Sequence, residues 1–400
     1  MNTITREIIH KDFTIFSENI TITYNNFIKD IDQAKNYLSN KGLIKGNKVL
    51  LCVNEWPKFL VWLFACAELG LILVTVDYKN LSDEKKAELY HDIQLELSNN
   101  DSYNTSPNIP IAIKVTPNDT LIYSFSSGTT DNCKLVGYTH SMCFALMNRN
   151  AKIYNLIDDD VCLHTKGLEH GSIINVYLLP TIKYCKHHYY ATSDSWNTHI
   201  SYITRCLLFY DMVDSLNEYP PLNHLTIYTL SKIDDDTIAK LKNAECNLYS
   251  IFGCIETSGP IFLPALPINQ NNFGQLLDDY YTVYINDSNI LTVITPEGLV
   301  VETGDYFEII NDNHYYYGRH QHLLSPIIGQ LEQLNLVGQK DFDIVIDSLY
   351  NKIYLRLDQQ LNIDLVRYNI AAVVIQPRSK FMYGIKFDAS NFRNYCRSII

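Results

Sequence analysis

The first hundred residues alternate between helical and strand-like hydrophobic patterns. Four apolar residues recur at helical spacing and predict one helix: Phe27, Ile31, Ala34 and Leu38. Short apolar segments at residues 48–53 and 71–76 are typical of buried strands. The apolar segment between them, residues 57–69, begins with a proline, which favours the first turn of a helix. Such β/α alternation predicts an α/β fold in which helices cover a mostly parallel sheet.

The pattern changes further along the chain. Residues 120–125 and 246–252 are apolar and predict strands, and Asp234 or Asp235 can cap a helix that runs to residue 243. Residues 280–317 contain short alternating segments separated by Asn/Asp turns, which predicts antiparallel strands. A hinge is predicted at residues 319–326, followed by a small α+β unit whose last helix starts at Asp388.

The charge is unevenly distributed. The chain has 32 Lys and Arg against 44 Asp and Glu, a net charge of −12, which argues against a protein that wraps nucleic acid. Residues 351–400 contain eight basic and three acidic residues, so this segment carries +5 and the rest of the chain −17. The C-terminal fifty residues therefore differ electrically from the remainder.

The compartment is predicted from the cysteines and the N-terminus. The ten cysteines form no CxxC pair, and residues 1–13 lack the apolar core of a signal peptide, which favours a cytoplasmic protein with reduced thiols. Residues 59–76 are apolar enough to raise a membrane span, but Glu68 and Gly70 interrupt them. A buried helix and strand is the favoured interpretation, with no membrane span.

A Ser/Thr-rich segment follows the strand at residues 120–125. Between Phe125 and Asn132 it contains four hydroxyl side chains and a glycine, and a lysine follows: Ser126, Ser127, Gly128, Thr129, Thr130 and Lys134. Backbone N–H groups, hydroxyls and an ammonium can converge there on phosphate oxygens. The segment matches neither the Walker loop nor the dinucleotide fingerprint, and an ordinary Ser/Thr-rich turn is the alternative interpretation.

Other segments accompany this loop in a fixed order. The loop resembles TSGTTGxPKG; the further segments are His164 to Leu168 (HxxGL-like), Phe252 to Glu256 (YGxTE-like), Glu302 to Asp305 (TGD), Tyr317 to Arg319 (GR) and Lys386 to Arg393 (GKIDRxxLR-like). Together they are similar to the adenylate-forming superfamily of acyl-CoA synthetases, aryl-acid ligases, adenylation domains and luciferases. The resemblance runs nearly from end to end.

This resemblance implies an architecture and a reaction. The fold would be a large N-terminal AMP-binding domain, residues 1–318, of β/α sheets plus a distorted β-barrel-like part. The hinge at residues 319–326 would join it to a small mobile α+β domain, residues 327–400. ATP and a carboxylic acid would give an acyl-adenylate and pyrophosphate, and a thiol or an amine would then displace AMP.

The resemblance also implies nucleotide-binding roles. The loop residues Ser126 to Thr130 and the catalytic Lys134 would hold the β- and γ-phosphates. Phe252 and Gly253 would lie against adenine, and Glu256 would hold Mg²⁺, a cation that prefers carboxylate oxygens and water.

Four further side chains would complete the site. Asp305 would accept hydrogen bonds from both ribose hydroxyls, and Arg319 would support the ribose from the hinge. His164 would border the channel for the acyl carboxylate. Lys386 would bridge the carboxylate and the α-phosphate as negative charge develops.

The sequence departs from the family pattern in several places. Asp131, Cys133 and Leu135 replace the first Gly, the Pro and the second Gly of the loop, and Ile255 replaces the Thr before Glu256. A carboxylate near pyrophosphate is repulsive, so a non-catalytic protein that binds a nucleotide or an acyl group is one alternative.

Substrate and acceptor are predicted only by class. No Asp stands in a recognisable context near His164 to pair with a substrate amine, which favours an aryl or fatty acid over an amino acid. The basic C-terminal segment suits an anionic acceptor, either CoA or the phosphopantetheine of an acyl carrier protein. Transfer to an amine is an alternative, and the basic residues can equally serve only solubility.

Overall fold

The structure is a computed structural model, and it describes the following residues: 3–16, 21–53, 55–75, 92–103, 113–125, 135–165, 173–191, 200–208, 222–229, 245–257, 259–263, 276–277, 280–285, 290–296, 298–310, 313–319, 342–347, 352–357, 370–375, 382–383 and 386–387. Described residues up to Leu207 form one compact unit and those from Leu208 onward form a second. We call them the N-terminal and C-terminal units. The predicted domain division at residues 319–326 stays a prediction, because residues 320–341 lie outside the described ranges.

The N-terminal unit mixes helices and short strands. In chain order they are a 3₁₀ turn (Arg6–Ile8), β1 (Thr14–Phe16), β2 (Thr21–Thr23), α1 (Tyr24–Asn40), β3 (Lys48–Cys52), α2 (Trp56–Leu69), β4 (Ile72–Thr75), β5 (Leu95–Ser98), β6 (Thr120–Phe125), β7 (Leu135–Thr139), α3 (His140–Ile153), β8 (Val161–His164), a π-helical turn (Ile174–Leu178), α4 (Leu179–Tyr184), β9 (His187–Tyr190) and β10 (Arg205–Leu208).

Two sheets organise this unit. In the first, the order is β5-β3-β4-β6-β7; the first four strands are parallel and β7 runs antiparallel to β6. In the second, β10, β8, β9 and β1 are neighbours in parallel, and β2 pairs antiparallel with β1. Parallel neighbours need crossovers through helices, so the predicted α/β class is confirmed.

The pattern of apolar residues explains α1. The four side chains predicted for its buried face, Phe27, Ile31, Ala34 and Leu38, are all fully buried. The helix ends before Gly42, whose positive φ of 77° belongs to the left-handed region that glycine adopts easily.

The predicted buried helix is α2, and it starts at Trp56 with Pro57 in its first turn. Eleven of its fourteen residues are buried, which is typical of a helix surrounded by protein on nearly all sides. Its one carboxylate, Glu68, is bound by Arg6 Nε at 2.7 Å and by Lys35 Nζ at 2.7 Å. In the described part of the chain, no helix is both long enough and apolar enough to cross a membrane.

The C-terminal unit consists of strands in its described part. They are β11 (Thr226–Thr229), β12 (Asn247–Ser250), β13 (Thr282–Ile285), β14 (Ile290–Ile294), β15 (Val300–Ile310), β16 (Asn313–Arg319), β17 (Phe342–Asp347), β18 (Lys352–Leu357), β19 (Ile370–Ile375), β20 (Met382–Tyr383) and β21 (Lys386–Phe387). Strands β11 and β12 are parallel, whereas β13 to β16 form the predicted antiparallel meander.

Three smaller features complete this unit. Antiparallel β17–β18 extends to a parallel partner, β19, and β20 pairs with β21. The helices predicted at residues 234–243 and from Asp388 onward lie outside the described residues. One hydrophobic cluster covers the meander and includes Ile261, Phe262, Leu291 and Phe307.

Candidate functional site

The TGD segment forms a β-bulge in β15. Ile290 pairs with Tyr306 and Thr292 with Glu302, so three residues of β15 lie opposite the single residue Leu291 of β14. Gly304 occupies the middle of the bulge with φ of 70°, a conformation that costs other residues strain. The glycine of the motif is therefore required by the backbone.

The threonine of the same motif holds the bulge in place. The Thr303 hydroxyl donates to the carbonyl oxygen of Leu291 at 2.9 Å and accepts from the backbone N–H of Asp305 at 3.1 Å. Asp305 is 4% exposed, and it lies opposite Arg319 in the β15–β16 ladder. The two residues predicted to bind ribose are thus cross-strand neighbours, although the side chain of Arg319 lies outside the described part.

The segment from Phe252 to Glu256 forms a tight turn after β12. Phe252 pairs with Phe262 in an isolated bridge, and its backbone N–H donates to the carbonyl oxygen of Phe262 at 3.1 Å. The Thr257 hydroxyl accepts from the backbone N–H of Cys254 at 3.2 Å and lies 3.0 Å from its carbonyl oxygen. Ile255 replaces the threonine that the family has before Glu256, but Thr257, directly after Glu256, supplies a hydroxyl group to the turn.

Glycine is sterically required at position 253. A Cβ atom there would overlap the backbone carbonyl oxygen of Gly259, which cannot move independently of its chain. The turn that carries Glu256 therefore depends on the absence of a side chain at Gly253.

The turn and the bulge lie against each other. The rings of Phe252 and Phe307 meet edge to face with centroids 4.9 Å apart. Burial, reinforced by the negative charges of Glu256 and Asp305, raises the pKa of the Cys254 thiol to about 12. Both carboxylates are thus near Cys254, and three predicted site residues, Phe252, Glu256 and Asp305, come together within one unit.

The cluster of Phe252, Glu256 and Asp305 suits a nucleotide together with a Mg²⁺ ion that is bound by both Glu256 and the phosphates. Phe252 is only partly buried and Asp305 offers two acceptor oxygens, which fit a base and a ribose respectively. Among the described side chains, no three His, Cys, Asp or Glu residues form a metal cluster. Mg²⁺ is commonly bound by one or two carboxylates together with substrate phosphates, so Glu256 alone is an adequate protein ligand.

His164 lies in the N-terminal unit, at the end of β8. Its imidazole stacks on Trp56, with centroids 4.2 Å apart, and its Nε2 lies 3.1 Å from Nδ1 of His188 on β9. Burial and the neighbouring His188 lower the pKa of His164 well below its ordinary value. His164 is therefore a neutral side chain.

A small cavity of about 20 Å³, on the scale of one water molecule, adjoins His164. Three polar side chains besides His164 line it: Trp56, Thr165 and Tyr177. The aliphatic part of the wall consists of Leu163, Ile173, Leu178 and Leu207. This is a mostly apolar recess with a few hydrogen-bonding groups, as in many small-molecule sites.

The remaining predicted site residues have no described side chains. Residues 126–134, which include Lys134, connect the antiparallel neighbours β6 and β7 and lie outside the described ranges. Lys386 has a described backbone only, opposite Tyr383 in the β20–β21 pair. Their roles stay predictions.

Sequence reasoning missed His188 and Trp56 as neighbours of His164. His187 and His188 follow one another on β9, and a strand directs successive side chains to opposite faces. The parallel pairing of Cys162 with His188 brings β9 beside β8, and no local pattern indicates that pairing. Pro57 did indicate the helix start at which Trp56 lies.

Fold and cluster together define an α/β protein with a candidate nucleotide site in its C-terminal unit. A family profile described as AMP-binding enzyme matches residues 6–97. Among curated proteins, "Putative acyl–CoA ligase YdaB" of Bacillus subtilis (strain 168) is 28% identical over 166 residues, which cover 32% of this chain and 33% of YdaB. The match thus spans about a third of the length of that relative.

Solved structures share the fold. O-succinylbenzoate coenzyme A synthetase (MenE) from Bacillus subtilis, in complex with ATP and magnesium ion, has a TM-score of 0.75 at 15% identity, covering 97% of this chain and 98% of MenE. McyG A-PCP, complexed with phenylalanyl-adenylate, has a TM-score of 0.71 at 14% identity, covering 100% of this chain and 96% of that one. The sequence match and the shared fold confirm the resemblance to the adenylate-forming superfamily that the motifs indicate.

Proposed function

We propose that this protein activates an aryl or fatty acid with ATP and Mg²⁺ as an acyl-adenylate, and then transfers the acyl group to a thiol. The carboxylate attacks the α-phosphorus and pyrophosphate leaves; the thiol then attacks the acyl carbonyl and AMP leaves. The thiol belongs to CoA or to the phosphopantetheine of an acyl carrier protein. A cytoplasmic location is part of this proposal.

The observation that carries the proposal is the bulge that buries Asp305 opposite Arg319 and beside the turn of Phe252 and Glu256. A carboxylate has two acceptor oxygens, so Asp305 next to a partly exposed aromatic ring suits a ribose and base. This arrangement supports nucleotide binding by residues far apart in the sequence.

Different residues of the chain bind different parts of the nucleotide. In the proposal Asp305, Arg319 and Phe252 orient the nucleoside, while residues 126–130 and Lys134 hold the terminal phosphates. Glu256 would hold Mg²⁺, which would supply positive charge to offset the charge on the departing pyrophosphate.

The other two side chains act on the acid. Lys386, a mobile point charge on a long stem, reaches the carboxylate and the α-phosphate from the C-terminal segment. His164 borders the acyl group, and its neutral state avoids a fixed cation near the substrate.

The test is ATP–pyrophosphate exchange with a panel of aryl and fatty acids. We expect at least one acid to support exchange, and Lys386→Ala to lower it by roughly 100-fold or more while nucleotide binding persists. The matched control is Lys380→Ala, the nearest other lysine.

Three outcomes separate the candidates. Exchange followed by thioester formation with CoA or a carrier protein supports the proposal. Amide formation in preference to thioester would contradict the thiol acceptor. Nucleotide binding without exchange for any acid would contradict catalysis and indicate a non-catalytic binding protein, the function that Asp131 in the phosphate loop favours.

A further inference from the structure

The hydrogen bonds of His188 determine where the protons of two buried histidines lie. His188 Nε2 is 3.1 Å from the carbonyl oxygen of Cys185, which can only accept, so Nε2 carries the proton. Burial lowers the pKa of His188 to about 3, so the ring has one proton and its Nδ1 is an acceptor. The neighbouring nitrogen, His164 Nε2, must therefore be the donor in the 3.1 Å contact between the two rings.

One consequence concerns the other nitrogen of His164. Because the neutral ring carries its single proton on Nε2, Nδ1 has a lone pair and can only accept. The hydrogen bond that the structure describes for His164 is made by Nε2 and not by Nδ1. His164 lines the cavity, and a ligand group that reaches its Nδ1 would meet an acceptor and no donor.

Two other lining residues, Trp56 and Thr165, carry buried polar atoms that the described protein does not satisfy. Trp56 is 1% exposed and Thr165 is 8% exposed, and Trp56 Nε1 and Thr165 Oγ1 are buried without a hydrogen-bond partner among the described residues. The indole N–H only donates, whereas the hydroxyl does either. Among the described lining residues there is no Lys or Arg.

The chemistry of this wall discriminates between ligand groups. A carboxylate has no proton to donate to Nδ1 and meets no cation among the described lining residues. A methyl group would leave the buried indole N–H and Nδ1 unpaired, which is unfavourable. A hydroxyl group, by contrast, donates one hydrogen bond and accepts another.

We propose that this cavity binds a neutral hydroxyl group of the acyl substrate, which donates to His164 Nδ1 and accepts from the Trp56 indole N–H, and that His188 is the positioning residue that keeps His164 in the accepting tautomer. This inference rests on the proposed function and narrows its substrate class to hydroxylated acids.

The test compares acids of equal size with and without the hydroxyl. The probes are 4-hydroxybenzoate against 4-methylbenzoate and 6-hydroxyhexanoate against heptanoate, with binding to the protein measured by isothermal titration calorimetry without ATP. We expect the hydroxylated member of at least one pair to bind about tenfold or more tightly. Equal binding within both pairs, or binding by neither, would overturn the proposal.

A pair of variants tests the role of His188. His188→Phe retains an aromatic ring against Phe13, whose centroid lies 4.8 Å away, but removes the acceptor for His164. We expect it to reduce the hydroxyl preference to about threefold or less, whereas His187→Phe, the matched control on the same strand, retains it. An unchanged preference in His188→Phe, or equal losses in both variants, would contradict a positioning role.

The tautomer of His164 can be measured directly, and it would not change if the role of His188 were only structural. In ¹⁵N-histidine-labelled protein, His164 should show a protonated Nε2 and an unprotonated Nδ1, and His188→Phe should abolish that signature. The opposite tautomer in the unaltered protein would overturn the proposal. If His188→Phe folds poorly, Trp56→Phe keeps a ring against His164 without the indole N–H, and a retained hydroxyl preference there would overturn it equally.

The closing comparison separates this inference from the proposed function. If the hydroxylated and the methylated acid of a pair support pyrophosphate exchange equally well, the proposed function stands and only the inference about the hydroxyl group fails. If hydroxylated acids bind preferentially but none supports exchange, only the proposed function fails.

Discussion

At the scale of single residues, Asp305 makes the sharpest prediction. Asp305→Asn preserves size but replaces one acceptor oxygen with a donor, so it should weaken ATP binding by about tenfold or more. The matched control, Glu302→Gln, alters an exposed carboxylate on the same strand and should leave binding unchanged. Isothermal titration with ATP measures both, and equal affinities for Asp305→Asn and the unaltered protein would contradict the assignment to ribose.

Buried neutral histidines make the N-terminal unit sensitive to acid. Burial lowers the pKa of His140 to about 4, and its Nδ1 accepts from the backbone N–H of Ile4 at 3.1 Å. Burial also lowers the pKa of His188 to about 3. Between about pH 6.5 and 4 the unfolded chain binds more protons than the folded one, so stability falls as pH falls.

The expected loss is about 1.4 kcal/mol per pH unit for each such histidine once the pH is below 6.5. Urea unfolding at pH 7.5, 6.5 and 5.5 measures it. His140→Gln keeps an acceptor for Ile4 and should reduce the slope by about one proton. A free energy of unfolding that stays constant from pH 7.5 to 5.5 would show that these histidines are not buried and neutral.

Sequence reasoning found the residues of the TGD motif but not how they act on one another. The motif indicated Asp305 as a ligand, whereas the hydroxyl of Thr303 and the positive φ of Gly304 become meaningful only when Leu291 lies opposite them. Strand register is set by packing and turns, and a sequence pattern does not specify which residue lies opposite a bulge.

At the scale of elements, the carboxylate of Glu68, which interrupts the apolar segment at residues 59–76, stabilises the packing of α2. Burial alone would raise the pKa of Glu68, but hydrogen bonds from Arg6 and Lys35 outweigh it and hold the pKa below its ordinary value. Arg6 binds both carboxylate oxygens at 2.7 Å and also contacts Asp32 on α1 at 2.6 Å. The network thus connects α2 to α1 and to the N-terminal 3₁₀ turn.

Glu68→Gln should therefore destabilise the N-terminal unit. Removing one partner of a mostly buried ion pair leaves the cations without their anion and costs about 3 kcal/mol. Glu7→Gln removes an exposed carboxylate of the neighbouring turn and should change the free energy of unfolding by less than about 0.5 kcal/mol. Equal unfolding midpoints in urea for the two variants would contradict a stabilising role for the network.

The start of α3 gives a second element-level prediction. The Thr139 hydroxyl accepts from the backbone N–H of Met142 at 3.2 Å and caps the helix. Thr139→Ala should cost about 1 kcal/mol, whereas Thr139→Ser keeps the cap and should cost little. Thermal unfolding of both variants measures the difference, and a Ser variant as unstable as the Ala variant would indicate that the methyl group, and not the cap, matters.

Individual elements were predictable where a local pattern exists. The strand predicted at residues 120–125 is β6 with the same bounds, and the helix predicted at residues 57–69 begins one residue earlier as α2. The pairing of β1 with β9 joins segments more than 170 residues apart in the sequence and has no local signal. That pairing places His188 against Phe13, so the surroundings of His164 could not be predicted either.

At the scale of the whole molecule, the order of the motifs predicted more than any one of them. The fold is shared with MenE at 15% identity, because a fold depends on the positions of buried residues more than on their identities. The predictable part was therefore the α/β class and the order of the motifs. The hydroxyl-binding cavity depends on side-chain proton positions and had no signal in the sequence.

The net charge also changes meaning at this scale. A net charge of −12 argues against nucleic acid as the default partner, but the C-terminal segment carries +5 of its own. An anionic thiol carrier is compatible with that segment even though the remainder of the chain would repel it.

The central claim is that the carboxylate of an acid attacks the α-phosphorus of ATP. The most direct measurement uses an acid that binds the protein, labelled with ¹⁸O in both carboxylate oxygens, with ATP, Mg²⁺ and CoA, and follows the label by mass spectrometry. Attack by the carboxylate should give AMP that carries one ¹⁸O atom, because the bridging oxygen of the acyl-adenylate stays with AMP when the thiol takes the acyl group. Unlabelled AMP, or label in inorganic phosphate together with ADP, would contradict it.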